Sequence, residues 1–241
     1  MNNLTRPAII PIRLKIMLGG SLLIASAGAW IASLRMADGM ALGFLGFIGV
    51  WTVMMAAMML PSVMPAVWLF ATVAPSRTQF GYRPAPTALF VAGYLGAWAL
   101  AGAGVALLNT VTNVTMGGWG QPIVGSALIV AGAYQLTRWK ALCLGHCRAP
   151  IQFFMAHWHD GLRGALRMGA HHGFYCMGCC WGLMLAMIAL GMMDPVWMGL
   201  IALLIFFENV SPWGERVALL SGVALIIIGA GMAVDWNMLV K

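Results

Sequence analysis

Residues 41–74 read ALGFLGFIGVWTVMMAAMMLPSVMPAVWLFATVA, with no charged side chain. A bilayer core about 30 Å thick takes roughly 20 apolar residues of helix, and only helices or closed barrels satisfy every backbone polar group in lipid. An apolar run this long selects the helix. It also exceeds one straight span. Pro61 and Pro65 each remove a backbone donor and crowd the preceding turn, so a kink or break is expected there.

Working outward, further apolar runs lie at 14–34, 85–108, 121–139, 172–193, 195–209 and 216–234. The predicted fold class is all-α, a polytopic transmembrane helix bundle of about seven spans. The count falls to six if 195–209 does not fully cross, because that run is short and ends in Glu208 and Asn209 ahead of Pro212. No internal repeat is evident, which argues against an inverted-repeat transporter and leaves 1–241 as a single integral membrane domain. The first run, beside Arg13 and Lys15, also fits a signal peptide with a small-residue cleavage site at Ala27-Gly28-Ala29.

Composition agrees. Apolar residues make up 62% of the chain and charged residues only 8%, against about a quarter charged in soluble domains; the mean hydropathy is +0.90. The net charge of +7 reports loop orientation in such a chain, and no basic cluster reads as a nucleic-acid surface. With the N-terminus cytoplasmic, Arg6, Arg13, Lys15, Arg77, Arg83, Arg138, Lys140, Arg148, Arg163, Arg167 and Arg216 fall inside. Only Arg35 and Lys241 fall outside. That split predicts a multi-pass protein of the bacterial inner membrane.

Residues 140–171 form the longest inside connection, a predicted cytoplasmic interfacial segment. Phe153, Phe154, His157, Trp158, Leu162 and Leu166 recur in it at near-helical spacing, with Arg148, Arg163 and Arg167 between them. This pattern predicts an amphipathic helix lying against lipid.

Chemistry concentrates in two clusters. All five cysteines fall between Cys143 and Cys180, which suits metal or thiol chemistry better than a disulfide framework spread over the chain. Positions three and four apart share a helix face, so Cys143, His146 and Cys147 form one soft group, and His172, Cys176, Cys179 and Cys180 form a stripe. The clusters sit at adjoining span ends and are expected to meet. Thiolate and imidazole together hold zinc, Cu(I) or an iron–sulfur cluster. Cu(I) is favoured as the ion, with zinc second. Met54, Met58, Met59 and Met64 offer thioether sulfur beside the expected proline break, a soft-metal path or else adaptable packing. Among the acids, Asp194 and Glu215 are placed at turns, while Glu208 is read as either an interfacial anchor or the buried partner of a cation.

The chain resembles a bacterial family of predicted metal-binding integral membrane proteins of unknown function. The match rests on Met54 to Pro65 (MMAAMMLPSVMP), Tyr134 to Thr137 followed by Lys140, Cys143 to Cys147 (CLGHC), His157-Trp158, Gly164 to Met168 (GALRM), His172-Gly173, Tyr175 to Trp181 (YCMGCCW) and Pro212-Trp213-Gly214. The resemblance implies one all-helical membrane domain and a metal group of Cys143, His146, Cys147, His172, Cys176, Cys179 and Cys180. It supplies no reaction. Such proteins commonly carry Lys directly after the acid matching Glu208, where this chain has Asn209.

The leading expectation is therefore a metal-handling membrane protein, for transport or storage of a soft ion, with the lipid bilayer and the ion as its partners. A membrane thiol oxidoreductase using Cys176 and Cys179 is the alternative; cytoplasmic thiols, which stay reduced, argue against it. A membrane subunit of a copper or redox enzyme assembly, with a protein partner, is the third reading.

Overall fold

A computed structural model describes residues 12–36, 43–76, 84–112, 120–191 and 194–239. Arg6, Arg77, Arg83 and Lys241, four of the charges behind the predicted orientation, lie outside these described residues. Among the described residues the regular elements are all α-helices, without strands: α1 (Ile12–Arg35), α2 (Gly43–Ser76), α3 (Pro84–Thr112), α4 (Gln121–Gln135), α5 (Arg138–Arg148), α6 (Pro150–Ala156), α7 (Gly161–Gly191), α8 (Pro195–Val210) and α9 (Gly214–Leu239). Within α1, α2, α3, α7 and α9 lie five stretches long and apolar enough to cross a membrane. The remaining two apolar runs become α4, of 15 residues, and α8, of 16.

Close backbone approach sets the packing. α3 lies along α7, where a Cβ at Gly93 would collide with the backbone of Leu166 and one at Gly169 with that of Phe90. α4 pairs with α9 in the same way: a Cβ at Gly125 would stand 2.7 Å from the Gly229 oxygen. Such small-residue seams are how apolar helices associate where lipid removes the hydrophobic drive. α1 covers α2, and the core runs between α2, α3 and α7 through Met54, Met55, Met59, Trp98, Leu183 and Met187.

Of the kink or break expected at Pro61 and Pro65, the break does not occur: α2 is helical from Gly43 to Ser76. Pro61 lacks the N–H that would reach the Ala57 carbonyl four residues back. Instead, Ser26 Oγ of α1 donates to Ala57 O at 2.7 Å in a buried setting. A neighbouring helix supplies the missing donor, so the helix persists.

The single amphipathic helix expected through 153–166 is also divided. α6 stops at Ala156, and α7 starts at Gly161, whose φ of +79° belongs to the left-handed region that glycine enters freely. Leu162 and Leu166 thus belong to the first turns of α7, which begins eleven residues before the expected start of that span at 172. Asp194 occupies the turn predicted for it, capping α8 by accepting from the N–H groups of Val196 at 2.8 Å and Trp197 at 3.2 Å.

Candidate metal centre

α5 begins where Thr137 turns the chain after α4: its side chain accepts from the Lys140 N–H at 3.3 Å. From this cap, Lys140, Leu144 and Cys147 follow at helical spacing on one face, with Lys140 and Leu144 buried. α7 presents Cys176, Cys179 and Cys180 to that face, all three buried. Gly178 allows the approach, because a Cβ there would lie 2.7 Å from Cys143 Sγ.

The Sγ atoms of Cys147, Cys176 and Cys179 all lie within 4.8 Å of one another. Cys147 and Cys179 are 3.7 Å apart, and all five cysteines are free thiols. A metal–sulfur bond of about 2.3 Å implies sulfur–sulfur edges of about 4 Å around a three-coordinate ion. The three thiols therefore fit a soft ion with little adjustment. Among the described residues this is the one group of three His, Cys, Asp or Glu side chains so closely gathered.

The surroundings hold the triad in place. Tyr94 OH meets Cys176 Sγ at 3.1 Å, Cys179 Sγ donates to the Cys176 carbonyl at 3.1 Å, and Asn209 Oδ1 lies 3.8 Å from Cys179 Sγ. Cys147, half-buried, forms the open side. Of the other predicted ligands, Cys180 Sγ stands 3.4 Å from Cys179 Sγ, outside the close triad. Cys143 packs beside Gly178, and burial pushes its thiol pKa up. His146 does not join the thiols; its ring stacks on Tyr175 at 4.3 Å and its Nδ1 faces Leu142 O at 2.8 Å. His172 is buried among Phe90, Tyr94 and Phe153, one turn before Cys176, with Nδ1 unpartnered. Met54, Met58 and Met59 are core residues, whereas Met64 faces Gly19 of α1.

Glu208 is resolved as the buried partner of a cation, and the cation is Lys140. Their Nζ–Oε2 distance is 2.5 Å and both side chains are almost wholly buried. Lys140 Nζ also donates to Gln135 Oε1, while Glu208 Oε1 accepts from Gln135 Nε2 at 2.8 Å and Ser221 Oγ at 3.2 Å. The network joins α4, α5, α8 and α9. Asn209, beside Glu208, reaches the thiols, so one end of α8 meets both the ion pair and the thiol triad. Sequence reasoning gave Tyr94, Gln135 and Asn209 no role in the site; the available signal was the Tyr134-to-Lys140 motif, which held the pair's lysine.

A family model described as PpoB2, copper chaperone, matches residues 48–232, most of the chain. The chain belongs to this family. The PpoB2 match runs from α2 into α9 and takes in every candidate ligand, the methionine stretch and Glu208. Together, membership in PpoB2 and the thiol triad support a copper- or metal-handling role. Comparisons with curated proteins and with solved structures return no match.

Proposed function

We propose that this protein is an inner-membrane copper handler that holds Cu(I) at Cys147, Cys176 and Cys179 near the cytoplasmic face and passes it on. The observation that carries this is the triad itself: three thiols from two helices, within 4.8 Å of one another, two of them buried in an apolar bundle. Cu(I) is soft and takes few ligands, and thiolate is its preferred donor. Binding displaces thiol protons, so the site loads more readily as pH rises.

The division of ligands suits release as well as capture. α7 supplies two sulfurs from adjacent turns, and α5 supplies the third, half-buried, on a short helix. Parting α5 from α7 would lower the ligand count and free the ion for a protein acceptor or a membrane path. Met54, Met58 and Met59 would serve such a path through the bundle by offering thioether sulfur, and Met64 would extend it toward α1. Cys143, His146, His172 and Cys180 surround the triad as further soft donors. The family description of a copper chaperone favours delivery to a partner over simple storage.

The test is retention of Cu(I) by purified, reduced protein under anaerobic conditions against a chelator of moderate strength. The native chain is expected to retain the ion and Cys176→Ser with Cys179→Ser to lose it. Unchanged retention in that variant would discard the site. Retention of zinc but not Cu(I) would keep the residues and replace the metal.

A further inference from the structure

The sulfur triad leaves a second group of donor side chains unexplained. His157 directly follows α6 as its C-terminal cap, and His171 lies on α7. Their rings stand nearly perpendicular, with centroids 4.5 Å apart and an interplanar angle of 87°. Phe153, buried, packs against both at 5.2 and 5.6 Å and fixes their placement. Both histidines are half-buried. Among the described residues, neither imidazole forms an ion pair with a carboxylate.

The hydrogen bonding of His157 leaves it prepared as a ligand. Its Nδ1 faces the Phe153 carbonyl at 3.2 Å. A carbonyl only accepts, so Nδ1 carries the proton there, and the neutral ring keeps its lone pair on Nε2. Anchoring one ring nitrogen on a carbonyl while the other binds is the usual arrangement of a metal-bound histidine. His146 repeats it, with Nδ1 on Leu142 O at 2.8 Å.

The rings also lead toward the thiols. His171 lies 5.2 Å from Tyr175, on whose ring His146 stacks at 4.3 Å. Tyr175 and His146 immediately precede Cys176 and Cys147 in the chain, two members of the triad. Donors thus pass from imidazole at the half-exposed end to thiol in the interior, in order of increasing preference for a soft ion.

We propose that His157 and His171 form a second, weaker site for a soft monovalent ion, Cu(I) or Ag(I), from which the ion passes by His146 to the thiols. This rests on the reading of the triad as the holding site. In the transfer, metal–nitrogen bonds break and metal–sulfur bonds form. The ion stays monovalent, and each thiol that enters as thiolate releases its proton to solvent.

The experiment has two arms. In the first, Ag(I) and Cu(I) are titrated anaerobically into the full chain with all five cysteines, Cys143, Cys147, Cys176, Cys179 and Cys180, replaced by Ser, so that no thiol remains, with ligation read by X-ray absorption. Residual binding through nitrogen is expected, and it should disappear on adding His157→Gln with His171→Gln. In the second, His157→Gln with His171→Gln in the otherwise native chain should slow loading of the thiols by about tenfold or more, a common penalty for a lost auxiliary group at a metal site. If the serine variant folds yet binds no ion, or if loading keeps its native rate, the second site is refuted. If the serine variant does not fold, the loading rate decides alone. Failure of the triad reading looks different: the native chain would then show no sulfur ligation, whatever the histidines do.

Discussion

Replacing Glu208 with Gln leaves a side chain of nearly the same shape but removes the counter-charge from Lys140. Both partners are almost completely buried, and among the described residues Gln135 is the other acceptor of Lys140. Breaking a buried pair by removing one partner costs about 3–5 kcal/mol. For a chain of this size, 1 kcal/mol shifts the melting temperature by roughly 2–4 °C, so Glu208→Gln should melt roughly 6–20 °C below the native protein in detergent. The cost comes from the stranded charge rather than the lost contact, which the double variant separates: Lys140→Met with Glu208→Leu should recover most of the loss, because apolar replacement of both partners is often neutral or stabilising. Differential scanning fluorimetry of the native chain, Lys140→Met, Glu208→Leu and the double variant closes the cycle, with Glu208→Gln measured beside them. A Glu208→Gln variant that melts with the native chain, or a double variant no better than either single one, would refute the account of the pair.

Two other predictions address the bundle. Ser26→Ala strands the Ala57 carbonyl and should lower stability by about 1–3 kcal/mol; in a Pro61→Ala background, where residue 61 regains its N–H, the same change should cost much less, and equal costs in both backgrounds would reject the role given to Ser26. For the proposed orientation, reporters fused after Gly81 and after Ala149 should read cytoplasmic and one near Asn113 periplasmic; a periplasmic signal at Ala149 would invert the topology and revive thiol oxidation as the function.

The all-helical class was legible because apolar runs of span length leave the backbone few choices in lipid. The cysteine stripe of α7 was legible too, since three- and four-residue spacing fixes a helix face. What escaped depends on partners distant in sequence. Pro61 breaks the local bonding rule, and only Ser26, on another helix, repairs it. Lys140 counted as one more positive charge at an inner loop, although its acid lies 68 positions away on α8. The departure at Asn209 drew attention to the missing neighbouring lysine, while the pairing cation came from α5. His146 shares helical spacing with Cys143 and Cys147, yet ring stacking on Tyr175 takes it from the sulfur group. Spacing fixes a face but not what the opposing helix offers to it.

X-ray absorption at the copper edge on the full chain, loaded with Cu(I) under reducing, anaerobic conditions, tests the central claim most directly. The geometry predicts ligation dominated by two or three sulfurs at about 2.3 Å, close to the length of other metal–thiolate bonds, and loss of that signature in Cys176→Ser with Cys179→Ser. Copper bound through nitrogen or oxygen alone, or a sulfur signature unchanged in that variant, would contradict the account.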